Sequence, residues 1–572
     1  MAPSLTVATK YGPVVGYSDT YPLSNESTAK LDPAHGGRAP VLKWLGIPYG
    51  QAGRWERPSA PAPWTEPREC HEFGTMFPQP PSGAGELPDL YTPFRVSFSF
   101  TPLFSNFTRA FVKQSEDSFT LNVFAPEGTT ADSQERIPVM FWIYGGSLNN
   151  GSSDLVMYDS TEWIRAQAEQ GKKFIVVTAN YRTNICGFFS GVDVKAADEQ
   201  GLSGNYGAYD VIQALTWVQE NIAAFGGDPG NVTLFGESAG SFLVSTLLVC
   251  GKRLFRRAIM QSGAAETMST FPVERAYGAY STILNLHGPG GATPQARINA
   301  LRSVPINDLI KTHIETYAFT GISLTIEEGP HAIWPEKVID RLERGEWDEW
   351  VEAVIIGTNE HEGSMFAYTL KVADSNVASF PLAIDQVASE AGYSALVSKF
   401  PPSLQTEINK KYLANGSYPT EVDLFESPAS KVLGDQIFVV PAWRQAQALA
   451  RQPNKKSGRK TRVYMYRFRE VVDRLEKILP MKLGSMHALE IAFIFNLEIV
   501  WGPGTRESQT AAAMGSMWAN FAINGNPDPN WRPFTSEQPS WLAIETGGKT
   551  ENESLVDYQD TLVDFTGRNF AT

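Results

Sequence analysis

The segment TLFGESAGSF at residues 233–242 constrains the fold of this chain most, because it sets a serine between two glycines after an apolar run. The residues before Gly236-Glu237-Ser238-Ala239-Gly240 predict a strand, and SFLVSTLLV after it predicts a helix. A G-x-S-x-G turn between a strand and a helix is typical of a nucleophile elbow, which lifts the serine oxygen clear of the sheet. We therefore expect Ser238 to be a nucleophile. The amide of Ala239, at the helix N-terminus, is expected to face a developing negative charge.

The rest of the chain alternates between apolar strands and amphipathic helices. In residues 207–227 the apolar positions Val211, Leu215, Val218 and Ile222 recur at helical spacing. Short segments rich in β-branched and aromatic residues predict buried strands near 138–146, 173–181, 231–236, 352–358 and 462–468. This alternation predicts an α/β fold with a large, mostly parallel central sheet flanked by helices.

No internal repeat and no low-complexity linker divides the sequence, so residues 1–572 are predicted to form a single domain. Residues from about 270 to 335 and from about 370 to 435 are predicted to be helical elements that cap the mouth of the sheet. The aromatic-rich segment from about 80 to 114 is predicted to be either an apolar lid or buried packing.

The bulk properties exclude some partners and leave others open. The 572 residues carry a formal charge of −14, which argues against nucleic acid or an anionic membrane surface as the main partner. No apolar run approaches the roughly 18 residues of a membrane span, so stable membrane insertion is not expected. The first residues lack the features of a secretory signal and the chain has three cysteines, so we expect a cytoplasmic protein. The oligomeric state stays open.

A serine hydroxyl needs a base to take its proton, and that base needs an acid to orient it. In α/β-hydrolases the chain order is nucleophile, acid and histidine. The loop NEHEGSMF, which follows the strand near 352–358, offers both Glu360 and Glu362 as acids. His487 is the one histidine after that loop, which makes it the predicted base. His361 is the alternative, but a residue next to the acid in an extended segment points the opposite way.

A glycine-rich turn, Tyr144-Gly145-Gly146-Ser147, directly follows the strand near 138–146. Bare backbone amides in such a turn can converge on one oxygen together with the amide of Ala239. The sequence therefore predicts an oxyanion hole between this turn and the elbow, with Gly145 as a supporting residue.

Ordered blocks along nearly the whole sequence resemble the type-B carboxylesterases, the family that also contains the cholinesterases and the neuroligin adhesion proteins. The resemblance is carried by motifs that include the elbow, the glycine-rich turn and the two loops described above. The blocks are WLGIPYG (44–50), SEDSFTLNVFAP (115–126), YGGSLNNGSS (144–153), NYRTNICGF (180–188), FGGDPGNVTLFGESAG (225–240), NEHEGSMF (359–366), GSMHALEI (484–491) and MWANFAINGNPD (517–528).

The resemblance implies an α/β-hydrolase fold and assigns a role to each matched position. It implies that Ser238 is the nucleophile, His487 the base and Glu362 the orienting acid. The implied oxyanion donors are the amides of Gly146, Ser147 and Ala239, and Glu237 and Ser262 are implied to support the histidine and the acid. Leu148, Met365 and Phe366 match positions that contact substrate. No metal and no organic cofactor is implied.

The sequence departs from the family pattern in three respects. Ser147 stands where a third glycine is usual, and serine tolerates a positive φ poorly. Ser118 and Phe77 replace two cysteines that form a disulfide in secreted relatives. The segment 80–114 contains no tryptophan, whereas cholinesterases hold a quaternary ammonium group there against a tryptophan ring.

The predicted function is hydrolysis of carboxylic esters, of apolar small molecules, through a serine acyl-enzyme. A first alternative uses the same three side chains in a transacylase, or in a cyclase that forms lactones, within a biosynthetic pathway. A second alternative is a non-catalytic, neuroligin-like binding module. The expected partner is thus a small-molecule ester, with no nucleic acid.

Overall fold

The computed structural model describes residues 5–19, 39–79, 113–133, 135–288, 293–317, 322–369, 390–413, 416–419, 423–478, 482–502 and 504–565. Its strands are β1 (Leu5–Ala8), β2 (Pro13–Asp19), β3 (Val41–Pro48), β4 (Arg68–Glu69), β5 (Thr120–Pro126), β6 (Ile137–Ile143), β7 (Ile175–Ala179), β8 (Gly227–Glu237), β9 (Arg257–Gln261), β10 (Ala353–Asn359), β11 (Arg462–Phe468), β12 (Ser540–Glu545) and β13 (Lys549–Ser554).

The described helices lie between and after these strands. They are α1 (Thr161–Ala168), α2 (Asn184–Phe188), α3 (Val192–Ala197), α4 (Tyr206–Asn221), α5 (Ala239–Leu247), α6 (Tyr277–His287), α7 (Pro294–Arg302), α8 (Ile306–Tyr317), α9 (Val338–Glu343), α10 (Glu362–Thr369), α11 (Glu390–Val397), α12 (Pro402–Tyr412), α13 (Pro428–Gly434), α14 (Val440–Arg451), α15 (Asp473–Ile478), α16 (Leu489–Ile494), α17 (Glu498–Trp501) and α18 (Arg506–Asn524). A π-helical turn, Asp435–Val439, joins α13 to α14.

Within the described residues the strands form one sheet in the order β1-β2-β3-β5-β7-β6-β8-β9-β10-β11-β12-β13, and β4 pairs with β2. All neighbours from β7 to β12 run parallel. The pairs β1-β2, β2-β3, β3-β5, β5-β7 and β12-β13 are antiparallel, whereas β4 pairs parallel with β2. The predicted α/β fold with a large, mostly parallel sheet is confirmed.

The parallel centre of the sheet is buried, as continuous apolar strands predict. Residues 139–143 of β6 and 232–237 of β8 are all buried. Helix α5 packs on β8 and β9, and α18 packs on β6 and β8. The four apolar residues that predicted a helix in 207–227 are buried on α4 and just after it.

The sequence patterns missed the antiparallel strands β1 to β3, β5 and β13, the two-residue strand β4, and the short parallel strands β9 and β12. Continuous apolar runs identify the other strands, but β9 and β12 are short, polar residues interrupt β3 and β5, and β2 buries only one of its faces. β2, for example, alternates between buried and half-buried residues along Pro13–Asp19. The antiparallel strands widen the sheet on either side, whereas β9 and β12 belong to its parallel part.

The remaining predictions about organisation concern the helical cap, the single domain, the lid segment and membrane insertion. Helices α6 to α8 lie in the predicted cap 270–335, and α11 to α13 lie in the described part of 370–435. Their role as a cap, and the division into one domain, stay predictions. The predicted lid, 80–114, lies outside the described residues except for its last two. None of the described helices has both the length and the apolar character that crossing a membrane requires.

The carboxyl ends of parallel neighbours meet at one edge of a sheet, which is where α/β proteins place their sites. β6 ends at Ile143, just before the glycine-rich turn. β8 ends at Glu237, just before Ser238, and β10 ends at Asn359 in the predicted acid loop. The fold therefore brings three predicted site segments to the same edge.

Candidate active site

Ser238 occupies a sharp, strained turn between β8 and α5. Its backbone lies at φ 57° and ψ −124°, a conformation that non-glycine residues rarely adopt. The Ser238 amide donates to the carbonyl of Gln261 at 2.9 Å, and the Ser238 carbonyl accepts from the amide of Phe242 at 2.9 Å. These two bonds fix the turn from both sides. The side chain of Ser238 remains half-exposed, while its neighbours in the chain are buried.

The glycines of the elbow are required by close packing against β6. A Cβ atom on Gly240 would lie 2.0 Å from the carbonyl oxygen of Ile143, and one on Gly236 would lie 2.8 Å from the same oxygen. A real Cβ does not tolerate either distance, so both positions need glycine. The G-x-S-x-G pattern thus reports how closely the elbow packs against the neighbouring strand.

His487 and Glu362 are in direct contact. The Nδ1 atom of His487 lies 2.6 Å from Oε2 of Glu362, and both side chains are buried. The other oxygen of Glu362 accepts a hydrogen bond from the Ser262 hydroxyl at 2.5 Å and one from the Asn359 amide at 2.7 Å. Glu362 is therefore fixed on one side while it orients the imidazole on the other.

The second nitrogen of His487 faces a different glutamate. Its Nε2 lies 2.9 Å from Oε1 of Glu237, yet neither atom has a hydrogen-bond partner among the described residues. Nor does a hydrogen bond join His487 to the Ser238 hydroxyl among the residues that the structure describes. Catalytic hydrogen bonds are often loose in unliganded enzymes and tighten when substrate binds. The Nε2 atom is thus buried next to the elbow with its hydrogen-bonding capacity unused.

The two glutamates control the charge of His487. Burial acts to lower the pKa of His487, but the negative charges of Glu237 and Glu362 outweigh it and raise the pKa above its usual range. Burial also raises the pKa of Glu237 itself, and the charge of His487 opposes that shift. The imidazole is therefore in a site that stabilises its protonated form, which is the form a general base reaches after it accepts a proton.

The glycine-rich turn packs directly against the elbow. A Cβ atom on Gly145 would lie 2.8 Å from the carbonyl oxygen of Glu237 and 2.9 Å from Cβ of Ser238. Within the described chain the amides of Gly146, Ser147 and Ala239 donate no hydrogen bond to another group. Three unused amides next to a half-exposed serine are the arrangement that an oxyanion hole requires.

Ser147 adopts the backbone that a glycine would adopt there. Its φ is 55°, and Leu148 follows at φ 58°, so two consecutive non-glycine residues are left-handed. The turn is closed by the Gly146 carbonyl, which accepts from the amide of Asn149 at 2.9 Å, and by the Asn149 side chain, which donates to the Ser147 carbonyl at 2.9 Å. These bonds offset the strain, so the family's third glycine is replaced without loss of the amide.

A third buried glutamate, Glu490, was missed by the sequence reasoning. Its two carboxylate oxygens accept from Asn359 Nδ2 at 2.6 Å and from Gln261 Nε2 at 3.2 Å, and Trp518 Nε1 donates to Gln261 Oε1 at 3.0 Å. Burial, together with the charges of Glu237 and Glu362, raises the pKa of Glu490 to about 8. The available signal was a single acidic residue in the apolar run HALEIAFIF, one helical turn after His487.

Two phenylalanines pack against the imidazole. The ring centroid of Phe438 lies 4.3 Å from that of His487, and the centroid of Phe366 lies 5.1 Å from it. Phe366 is one of the predicted substrate contacts, whereas Phe438, in the π-helical turn, was not predicted. Of the other two, Met365 is half-buried on α10 and Leu148 is fully buried. The His487 side of the site is thus aromatic.

The alternative acid and base lie elsewhere. Glu360 pairs with Arg467 at 2.8 Å and with Arg469 at 3.1 Å, on the far side of the acid loop. The His361 ring contacts the backbone of Ser485 rather than the elbow. The predicted acid Glu362 and base His487 are the pair that the structure brings together.

The structure also shows the surroundings of Ser118 and Phe77, which stand where secreted relatives have a disulfide, and of the three cysteines. The Ser118 hydroxyl shares a hydrogen bond with the Thr75 hydroxyl at 2.7 Å, and Phe77 packs on Phe119. All three cysteines, Cys70, Cys186 and Cys250, are free and buried. In the described ranges no cluster of three or more His, Cys, Asp or Glu side chains could hold a metal ion.

The chain is similar to a known family, to individual proteins and to solved structures. The model of the carboxylesterase family matches residues 7–560. The chain is 29% identical to para-nitrobenzyl esterase of Bacillus subtilis (strain 168) over 539 residues, which cover 90% of this chain and 93% of that protein. It is 29% identical to carboxylesterase 1D of Mus musculus over 562 residues, with 92% and 90% covered. A solved thermophilic PNB esterase matches 98% of this chain and 99% of its own, at 27% identity and a TM-score of 0.70.

Proposed function

The chain belongs to the carboxylesterase family and is a carboxylic ester hydrolase, and we propose that Ser238, His487 and Glu362 carry out the hydrolysis. The observation that carries this proposal is the contact of His487 Nδ1 with Glu362 Oε2, which turns the buried Nε2 atom toward the elbow, 2.9 Å from Oε1 of Glu237. A serine nucleophile requires a base that an acid orients from behind and whose second nitrogen faces the turn of the nucleophile.

In the first half of the reaction the Ser238 oxygen attacks the acyl carbon while His487 Nε2 accepts the hydroxyl proton. The carbonyl oxygen becomes an oxyanion and accepts hydrogen bonds from the amides of Gly146, Ser147 and Ala239. The intermediate then collapses, the ester C–O bond breaks, and the leaving alkoxide takes the proton from His487. The products are a free alcohol and an acyl group bound to Ser238.

In the second half a water molecule replaces the alcohol. His487 accepts one proton from the water, whose oxygen attacks the acyl carbon, and the same three amides hold the second oxyanion. Collapse breaks the bond to Ser238 Oγ, which recovers its proton from His487. The carboxylic acid leaves, and the enzyme returns to its starting state without any cofactor.

We propose that the substrates are esters of apolar small molecules. Phe366 and Phe438 place aromatic surface next to His487, so an apolar group there removes surface from water. The relative from Bacillus subtilis is named for a para-nitrobenzyl ester, which is aromatic. A cytoplasmic location stays a prediction, and the three free cysteines support it.

The test is hydrolysis of p-nitrophenyl esters from acetyl to palmitoyl, with the wild type beside Ser238→Ala. Ser398→Ala, which removes an exposed hydroxyl on the surface, is the matched control. We expect the wild type and the control to hydrolyse one range of chain lengths, and Ser238→Ala to lose turnover by about 10⁴-fold or more. Turnover that survives in Ser238→Ala would refute the role of the serine.

A second outcome would change the reaction but not the site. If the wild type forms a p-nitrophenol burst equal to the enzyme concentration and then stops, the acyl group is not released to water. Mass spectrometry of the acylated protein with added alcohols or amines would then identify the acceptor. Rapid release of the acid in plain buffer would exclude such an acyl transferase.

A further inference from the structure

The loop that carries His487 is attached to the acid loop by backbone hydrogen bonds. The amide of His361 donates to the Ser485 carbonyl at 2.9 Å, and the Asn359 side chain donates to the Met486 carbonyl at 2.7 Å. The Ser485 hydroxyl also donates to the Phe468 carbonyl at 2.9 Å, at the end of β11. The position of the catalytic imidazole therefore depends on how residues 484–486 are held.

One bond in this attachment is made by a side chain that can titrate. The Ser485 amide donates to Nδ1 of His361 at 3.0 Å, two residues before His487. An Nδ1 atom accepts a hydrogen bond only when it carries no proton, so the imidazole must be neutral with its proton on Nε2. The opposite edge of the ring faces Glu426, whose Oε1 lies 3.9 Å from Nε2.

The His361 ring fits closely against this loop and against Phe425. A Cβ atom on residue 484 would lie 2.4 Å from His361 Nδ1, so Gly484, at φ +64°, is required where the ring passes. The other face of the ring makes an edge-to-face contact with Phe425, at a centroid distance of 4.6 Å. The ring cannot turn away from Ser485 without losing both contacts.

We infer that His361 is a positioning residue for the catalytic base: its neutral imidazole holds the loop of His487, and its protonation releases that loop. The inference rests on the proposed role of His487. A proton on Nδ1 replaces an acceptor with a donor that faces the Ser485 N–H, so the bond is lost and two donors confront each other. The imidazole of His487 then loses one of the constraints on its orientation, and turnover falls.

The charges around His361 favour its neutral form. Burial lowers the pKa of His361 below its usual value, and the positive charges of Arg467 and Lys431 act in the same direction. Glu360 and Glu426 oppose them, but Arg467 pairs with Glu360 and Lys431 pairs with Glu426. Glu476 is a further acidic group at this loop, where its carboxylate accepts from the Gly484 amide. The bond to Ser485 is thus present at neutral pH and is lost on the acid side.

Two substitutions of His361 distinguish a role in positioning the loop of His487 from a role in packing. His361→Asn places an amide oxygen close to the position of Nδ1, so it keeps the acceptor but does not titrate. His361→Phe keeps a ring against Phe425 but leaves the Ser485 amide without an acceptor. His331→Asn, at an exposed histidine, is the matched control. Each kcat is divided by the number of active sites that a fluorophosphonate titrates, so that unfolded protein does not count.

For His361→Phe we expect kcat on p-nitrophenyl butyrate at pH 8 to fall about tenfold with little change in KM, because a buried amide is left unpaired. His361→Asn is expected to keep the wild-type kcat within about twofold. Below pH 6 the kcat of His361→Asn should fall less steeply than that of the wild type. In the wild type a second group, His361, becomes protonated there in addition to His487. His331→Asn should follow the wild type throughout.

Hydrogen exchange gives a readout that does not need activity. The peptide covering 483–488 should exchange about tenfold faster in His361→Phe than in the wild type at pH 7, and at the wild-type rate in His361→Asn. Equal exchange in all variants, or equal kcat and equal acid limbs, would overturn the inference. A wild type without Ser238-dependent turnover would instead refute the proposed function, and the exchange result would still decide whether His361 holds the loop.

Discussion

His487 Nε2 lies 2.9 Å from Oε1 of Glu237, the residue just before the nucleophile, so the second nitrogen of the proposed base faces this carboxylate. Because the negative charge of Glu237 helps to raise the pKa of His487, it sets the pH at which the base becomes available. This contact leads to the first prediction.

Glu237→Gln should move the acid limb of kcat/KM to lower pH. The substitution keeps the shape of the side chain but removes a negative charge beside His487, so the imidazole gives up its proton more readily. The measurement is kcat/KM for p-nitrophenyl butyrate from pH 5 to 9, with the exposed Glu551→Gln as the control. An acid limb that stays in place, or moves to higher pH, would contradict the assigned charge of Glu237.

Glu362→Gln should lower kcat by about 10³-fold, because the amide cannot stabilise the imidazolium that forms in the transition state. Ser262→Ala removes one of the donors that fix Glu362, and we expect a smaller loss of about tenfold. Glu360→Gln is the comparison, since Glu360 pairs with two arginines and does not contact His487. If Glu360→Gln proved as damaging as Glu362→Gln per titrated active site, the assignment of the acid would be wrong.

Gly240→Ala should destabilise the folded protein by about 3 kcal/mol or more, because the added Cβ overlaps the carbonyl oxygen of Ile143. Gly230→Ala is the control, since the nearest atom to its Cβ, at 3.2 Å, belongs to the flexible Asp228 carboxylate. That change should stay within about 0.5 kcal/mol. The measurement is the urea midpoint of unfolding, followed by tryptophan fluorescence. Equal midpoints for the two variants would show that the elbow can move away from β6.

The unfolding free energy should fall as the pH drops from 6.5 to 4, partly because of His313. Burial lowers the pKa of this histidine to about 4, so the unfolded chain binds the proton at a higher pH than the folded chain. The shift corresponds to about 3 kcal/mol of stability that is present above pH 6.5 and lost toward pH 4. His313→Leu should flatten this slope relative to the wild type, whereas His331→Leu, at an exposed site, should not. The slopes come from urea titrations at several pH values.

The sequence predicted those parts of the fold and site that depend on local pattern. Strand–turn–helix order identified Ser238, and chain order identified His487, because it is the one histidine after the acid loop and its rival His361 adjoins the acid in sequence. The parallel centre of the sheet followed from continuous apolar runs. The roles of these residues in catalysis stay predictions until the variants are measured.

What the sequence could not supply depends on contacts between distant segments. Nothing local indicates that Glu490 lies among the other buried glutamates, or that Phe438 packs on the imidazole from a helix far along the chain. The direction of the His487 ring, with Nε2 facing Glu237, is likewise set by packing. Ser147 is an intermediate case: the sequence showed the departure from glycine, and the structure shows how the turn accommodates it.

The order of the strands also sets when the protein can first act during its synthesis. Ser238 and the three amides follow β6 and β8, whereas Glu362 and His487 follow β10 and β11. A nascent chain that has been synthesised through β9 therefore contains the proposed nucleophile and the three amides. It still lacks Glu362 and His487. On the proposed assignment a chain that ends before His487 lacks its base, so we expect such a fragment not to cleave esters.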